Sequence, residues 1–560
     1  MSIDVTALGA EFPELLLESR RMDVSGTTYR LALPTFPEGR GFSAAELLLP
    51  KGFPDDASAR IRLSGDAVLR VPHVEGNRLL CIDGDPGPGC GRTPQERVQL
   101  LLYAYYENFL APWMCGELDK DFSKEPQNYW AIEVARARSA TDPVFDVWTL
   151  DASPARATVR EGLLLLPGRV VLAADEDAEF TRRMTRALGR RATQRVRVLI
   201  ADIPINYAFE PNTWPNGTDA INRLLDVRLS DAQRAVFFGP IRSRRSKVHR
   251  IALFRNALGG FAYLLPGGPP TVIQEGSRAR ARPSPHKPLP LSVTRLDPAW
   301  TAGRDQHLEV YERQGKHVVV FGAGALGSPV TEHLAKAGVG RITLVDSDDL
   351  EPANVGRHLL GVDVVDEKKA TAVAERINRS HPSCCVTPQV MSAERWLRGN
   401  VLDGVSAVID LTGEPSVRWA VDRARRLHPC SLLVGWMEPF VAAAHACVLP
   451  TGAPWIADPS QPIDRMAELE AVVWPTDVMR QEPGCSSRFQ AYTADQAGYA
   501  VALMAEQAIK LIDGMADAAA VTSWVRGQAF LDEHWPGLQL RRWANAASAH
   551  HGLMITRDFK

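Results

Sequence analysis

One stretch limits the fold of this chain more than any other: HVVVFGAGALGS, His317 to Ser328. Its opening is an almost unbroken apolar run, the pattern of a parallel strand covered on both faces. Gly322, Gly324 and Gly327 follow at once, and glycines in that place let backbone approach a phosphate. Val330, Leu334 and Ala337 then fall on one helical face, and RITLVD supplies a second strand that ends in Asp346. Strand, glycine turn, helix and strand make a complete βαβ unit, with an acid placed to bond a ribose hydroxyl. A bare glycine pattern is weak evidence, but in this context it predicts a nucleotide site.

The side chains after Asp346 bear on which nucleotide. Asp348, Asn354, Arg357, Lys368 and Lys369 crowd the next turn and helix. Arginine offers a fork of donors to phosphate oxygens, lysine a compact charge, and aspartate can hold Mg²⁺ between phosphates. This density suits ATP better than a hydride-transfer cofactor, so an NAD-dependent oxidoreductase is the weaker alternative.

Length sets the organisation. At 560 residues the chain exceeds a single core and divides into about three domains on the usual size prior. The first, 1–150, has short apolar runs, a loop dense in Pro and Gly (DGDPGPGCGRTP), and a helical run, ERVQLLLYAYYENFLAPW. It reads as α+β. The second, 151–290, alternates strands such as RVRVLIADIP and HRIALFRN with helical patterns, and reads as α/β. It ends in GGPPTVIQEGSRARARPSPHKPLPLSV, whose prolines, glycines and basic residues favour an extended linker. The third, 291–560, carries the βαβ unit. The fold class is therefore α/β.

Composition excludes several classes. The net charge is -2, and no aromatics are interleaved with the linker arginines to stack bases, so no nucleic acid partner is expected. The longest apolar stretch, SLLVGWMEPFVAAAHACVL, is broken by Glu438 and Pro439 and cannot span a bilayer. The N-terminus lacks the order of a signal peptide, so a cytoplasmic location is expected. The 8 cysteines include no CxxC pair, which argues against a disulfide framework and a tetrahedral zinc site. A cysteine with a chemical role is then a nucleophile. Cys384, Cys385, Cys430 and Cys447 read as small buried hydrophobes.

FGAGALGSPVTEHLAKAGVGRITLVDSDDLEPANVGRH resembles the adenylation domain of ubiquitin-activating enzymes and of the enzymes that adenylate sulfur-carrier proteins. The resemblance implies that Asp346 binds the ribose and that Asn354, Arg357 and Lys369 contact phosphates. It implies that Arg304 reaches the triphosphate, in its own subunit or in a dimer mate. It also implies Mg²⁺. The family's second metal-binding aspartate falls at Gly413 here, which leaves Asp410 or Glu414 to take its place, with Asp410 as the metal ligand expected first. Activating enzymes capture the acyl group on a cysteine, and Cys485, in the Gly/Ser-flanked RQEPGCSSRFQAY, resembles the cysteine of the autophagy-type enzymes.

HVEGNRLLCIDG, with His73, Gly76, Cys81 and Ile82, is similar to the active-site segment of ubiquitin-conjugating enzymes. By that likeness Cys81 is the conjugating cysteine, with Cys90 as a rival. The usual Pro-Asn after the histidine is Val74-Glu75, so His73 or backbone donors are left to steady an oxyanion. A conjugating part followed by an adenylating part resembles the bacterial fused activating and conjugating enzymes of CBASS antiphage operons, with the middle domain as an inactive, linking adenylation-like unit.

The resemblance implies adenylation of a partner protein's C-terminal carboxylate, capture on Cys485, transfer to Cys81 and delivery to an acceptor lysine. The partner would be a ubiquitin-like protein or a CBASS nucleotidyltransferase, and the enzyme a homodimer through its adenylation domain. A sulfur-carrier adenylyltransferase, which has no use for Cys81, is the alternative.

Overall fold

The computed structural model describes Leu8, Phe12 and residues 17–560, apart from 24–25, 140–141, 143–144, 152, 167–169, 174–182, 185–186, 188–193, 208, 240–247, 258, 269–270, 276–277, 283–284, 461–462, 476–477, 479, 482–487 and 490–491. The chain divides into two compact units, 1–175 with 191–295, and 176–190 with 296–560. The α/β class read from the sequence is the class observed.

The first unit opens with an antiparallel meander of four strands, β1 (Leu17–Asp23), β2 (Gly26–Leu31), β3 (Ala45–Pro50) and β4 (Arg60–Leu63). Strand β3 alternates, burying Ala45, Leu47 and Leu49 on one face, the period of a sheet with one covered side. The non-helical stretch bearing Cys81 follows. Helix α1 (Pro94–Tyr103) then starts at a capping box, in which Thr93 accepts from the Glu96 amide and Glu96 accepts from the Thr93 amide. That box satisfies donors the first turn would otherwise leave orphaned.

Helix α2 (Pro126–Ala137) buries Tyr129, Trp130, Ile132 and Val134. Trp130 reaches beyond the meander. Its Nε1 donates to the Leu291 carbonyl at 2.9 Å, and its ring packs edge-on against Trp214, Phe261 and Tyr263. Burying a ring of this size takes about 200 Å² from water, or about 5 kcal/mol before the ordering cost.

Of those partners Leu291, Phe261 and Tyr263 belong to a closed barrel. Its strands are β5 (Asp146–Thr149), β6 (Thr158–Leu166), β7 (Val170–Ala173), β8 (Gln194–Pro204), β9 (His249–Asn256), β10 (Gly259–Leu264) and β13 (Leu289–Arg295), in the order β10-β13-β5-β7-β6-β8-β9. Pairing is mixed, with β13–β5, β5–β7 and β8–β9 parallel and the other described pairs antiparallel. The stretch read as an extended linker is ordered into strands. Within it β11 (Thr271–Glu275) pairs with β12 (Arg278–Arg282), and Leu289 and Leu291 of β13 are buried. Apolar burial outweighs the proline signal because β13 pairs with β5 only from Ser292 onward. Pro290 therefore lies where its missing N–H leaves a single neighbour, β10, to pair with.

The second unit is built on a sheet of eight strands. They are β14 (His317–Phe321), β15 (Arg341–Val345), β16 (Cys385–Gln389), β17 (Ala407–Asp410), β18 (Ser431–Met437), β19 (Ala443–Leu449), β22 (Ala520–Val525) and β23 (Leu553–Asp558), ordered β16-β15-β14-β17-β18-β19-β22-β23. The first five are parallel and the rest antiparallel. A short pair, β20 (Arg480–Gln481) with β21 (Arg488–Phe489), stands apart from this sheet. Val318 to Phe321 are all buried, as a doubly covered parallel strand requires. Helices α3 (Gly327–Lys336), α4 (Lys369–Ser380), α5 (Pro415–Leu427) and α6 (Ala494–Ile512) accompany the sheet. Among the described residues no helix is long and apolar enough to cross a membrane.

Chain order reverses at β14, which has β15 on one side and β17 on the other. A crevice forms at such a switch point, outside the carboxyl ends of the strands. Phe321 is level there with Val345 and Asp410.

Candidate active site

The glycine turn leaves β14 at this crevice. Gly322 has φ +90° and donates to the Val345 carbonyl at 3.0 Å, a left-handed conformation that favours glycine. At Gly327 a Cβ would lie 1.8 Å from the Gly322 carbonyl oxygen, so α3 could not start this close to the strand with any other residue. Gly324 has open space where its Cβ would be.

Asp346 fastens the turn. Its Oδ2 accepts from the Ala323 amide at 2.6 Å and its Oδ1 from the Asp348 amide at 2.8 Å. Each oxygen keeps a second lone pair for a hydroxyl ligand. Burial pushes the Asp346 carboxyl above the usual range, against those two bonds. A second clamp, with no local signature in the sequence, is His358, whose ring reaches the Ala323 carbonyl at 2.5 Å while the Leu360 amide donates to its Nδ1 at 3.1 Å. That pairing makes Nε2 the protonated nitrogen, and burial lowers the histidine's pKa. The visible signal was only its position beside Arg357.

The basic residues are partly engaged with their neighbours. Lys369 Nζ pairs with Asp348 at 3.1 Å and Lys368 Nζ with Asp349 at 2.9 Å. Arg357 lies over the Tyr492 ring at 5.2 Å. The side chain of Asn354 accepts from the Glu351 amide at 3.1 Å, capping its own turn. Arg304 is exposed, has φ +50°, and stacks on Trp300 at 4.9 Å.

Asp410 ends β17. Its Oδ1 accepts from the Thr412 amide and hydroxyl at 3.0 and 2.7 Å, whereas Oδ2 is buried with no hydrogen-bond partner. Burial pushes this carboxyl up to about 6. Among the described residues no three His, Cys, Asp or Glu side chains gather into a metal cage. Mg²⁺ needs no such cage, being held by one or two carboxylates together with substrate phosphates and water. The orphaned oxygen of Asp410 fits that requirement, and Gly413, with φ +75°, adds no second carboxylate.

A cavity of about 700 Å³ opens at the crevice, with Gly324 and Arg357 in its lining. Its other walls include Trp436, Met437, Met466, Trp474 and Val478, with Glu470 among them. The volume lies in the range that holds a ligand of drug size, about 300–1,000 Å³. Arg304 is not among the residues lining it.

The unit that assembles glycine turn, clamping aspartate and cavity is also the one that matches a known family. Residues 306–541 match the ThiF family. The chain is 27% identical over 252 residues to the ATP-dependent ubiquitin transferase-like protein Cap2 of Pseudomonas aeruginosa, covering 44% of this chain and 45% of that one. It is 35% identical over 109 residues to the adenylyltransferase and sulfurtransferase UBA4 of Yarrowia lipolytica, covering 20% of this chain and 28% of that one. The match thus spans less than half the length of either relative. Among solved structures, E. coli MccB with ATP aligns with 42% of this chain and 65% of its own at 16% identity and a TM-score of 0.31.

Cys485 falls outside the described residues, between the paired strands β20 and β21. Cys81 belongs to the first unit and is exposed. Its amide donates to the His73 carbonyl at 2.8 Å, tying the two residues together. His73 has φ +61°, donates its amide to the Tyr129 hydroxyl at 3.0 Å, and sets Nε2 3.0 Å from Asp121. Asp121 is nearly buried and also pairs with Lys124. Burial opposes its ionisation, but the bonds from Lys124 and His73 outweigh that and hold its carboxyl below the usual range. Burial raises the Cys81 thiol, and the charges of Glu75, Glu125 and Asp83 push it the same way against Arg60. Cys90 is exposed as well. Cys384, Cys430 and Cys447 are buried, and Cys385 is half-buried.

Proposed function

We propose that the ThiF-family domain uses ATP and Mg²⁺ to adenylate the C-terminal carboxylate of a partner protein. The observation that carries this reading is the coupling of Asp346 to the glycine turn, whose Gly324 lines one cavity together with Arg357. Asp346 has lone pairs free for the ribose. Gly324 leaves room for phosphate beside Arg357, and Lys369 and Asn354 stand on the adjoining turn and helix. A carboxylate oxygen of the partner attacks the α-phosphorus, an acyl-phosphate bond forms, and the bond to pyrophosphate breaks. Alignment and charge neutralisation accomplish this without covalent help from the protein. Mg²⁺, held at Asp410 and the phosphates, would supply further neutralisation. Arg304, exposed just past the end of the short helix Pro298–Gly303, is available to a dimer mate's triphosphate.

The acyl group then passes to Cys485, next to Cys81, and last to an acceptor lysine. Exposure of Cys81 and the likeness to Cap2 support these later steps, and the CBASS resemblance puts a nucleotidyltransferase first among partners to test. The Yarrowia relative favours the sulfur-carrier alternative, which ends at the acyl-adenylate or a sulfur transfer. Incubation of the chain with ATP, Mg²⁺ and a candidate partner separates the two, read as pyrophosphate release and on a non-reducing gel. The relay requires a reducible adduct on Cys485 that persists in Cys81→Ala and is lost in Cys485→Ala. Pyrophosphate release with no adduct on either cysteine supports the sulfur-carrier reading, and an adduct on Cys90 alone overturns the cysteine assignment.

A further inference from the structure

The cavity beyond Arg357 has a chemical asymmetry. Trp436, Met437, Met466, Trp474 and Val478 make much of its lining apolar, and Glu470 is the acid among them. Among the described residues the Glu470 carboxylate makes no hydrogen bond or ion pair, although its backbone carbonyl accepts from Trp543 Nε1 at 3.2 Å. Arg541 is near enough to act on Glu470 through space, but its guanidinium is turned to the Ala467 carbonyl at 3.1 Å. Glu438 holds the segment rigidly from behind, accepting from the Ala471 and Val472 amides and from Trp474 Nε1. A half-buried acid in an apolar wall, with no ion pair of its own, is costly unless an incoming group pairs with it.

We propose that Glu470 selects the partner by a basic side chain, arginine or lysine, within the last few residues before its C-terminal carboxylate. The inference rests on the adenylation reading, since the tail must lie in this cavity for its carboxylate to reach the α-phosphate. An extended tail advances about 3.3–3.6 Å per residue. The apolar wall receives the neighbouring aliphatic or aromatic side chains, and the basic head reaches Glu470.

The test uses the full chain and synthetic alanine-based hexapeptides with a free C-terminus, carrying Arg, Leu or Glu at one of the three positions before the last. ATP–pyrophosphate exchange is measured, with binding of a fluorescent ATP analogue alongside. At one of these positions the Arg peptide is expected to support about tenfold or more exchange over the Glu peptide, the scale of one charge-assisted pair. Glu470→Gln should erase this preference and Glu470→Lys invert it. An inversion is something a merely structural role for Glu470 would not produce. Equal exchange for Arg and Glu peptides at all three positions overturns the inference and leaves adenylation standing. Absence of exchange with every peptide, while the ATP analogue still binds, also overturns it. Loss of analogue binding itself overturns the adenylation reading with it.

Discussion

Glu438 lies 2.7 Å from Nε2 of His445, and both side chains are wholly buried. The histidine's other nitrogen meets Ser523 at 2.7 Å, and Trp436 of the cavity wall stacks on its ring. One carboxylate therefore ties β19 to the segment that carries Glu470 and Trp474. Replacing Glu438 with alanine strands His445 and two backbone amides without an acceptor, at a cost of about 3–5 kcal/mol. Urea unfolding should show the loss in the second unit's transition, and Glu438→Gln, which keeps an acceptor oxygen, should lose less.

Asp346 bonds two backbone amides and is the acid expected to hold the ribose. Asp346→Ala should raise the KM for ATP by about 10- to 100-fold, the scale of lost hydrogen bonds to a charged group. Pyrophosphate exchange measures it. An unchanged KM would remove Asp346 from the site.

Burial and the charges of Glu75, Glu125 and Asp83 oppose thiolate formation at Cys81. Its alkylation by iodoacetamide should be slow at pH 7 and accelerate as pH rises toward the raised thiol pKa. Neutralising one acid, as in Glu75→Gln, should speed alkylation severalfold at fixed pH, because the thiolate is the reacting form. Peptide mass spectrometry distinguishes Cys81 from the exposed Cys90 and Cys115.

Burial, reinforced by Glu438, pushes Glu470 up to about 7 from an ordinary 4.5. The folded state thus holds the proton more tightly than the unfolded chain. The associated stability is fully present below pH 4.5 and is lost as pH rises through 7. Glu470→Gln should accordingly gain melting temperature over the wild type as pH is taken from 5 to 8. A gap that stays constant across that window would contradict the burial account.

The turn from Gly322 to Asp346 was legible in the sequence because its determinants are local: an apolar run, glycines at tight spacing, and an acid at the end of the next strand. Asp410 was legible only through family likeness. His358, Asp121, Glu438 and Glu470 carry no local signature. Each acquires its place from elements distant in the chain, as when Asp121 meets His73 across 48 positions. The barrel was hidden for the same reason, since β5 finds its parallel neighbour in β13, far along the chain. The linker reading failed where two buried leucines, Leu289 and Leu291, outweighed the prolines around them.

Trp130 has a consequence for modularity. Its indole spans the meander and the barrel, bonded to Leu291 on one side and rooted in α2 on the other. Severing the chain between the two would leave the indole and its aromatic nest facing water, so neither half can be transplanted alone. Recombination that brought the Cys81 segment to a new host would have to carry β13 with it.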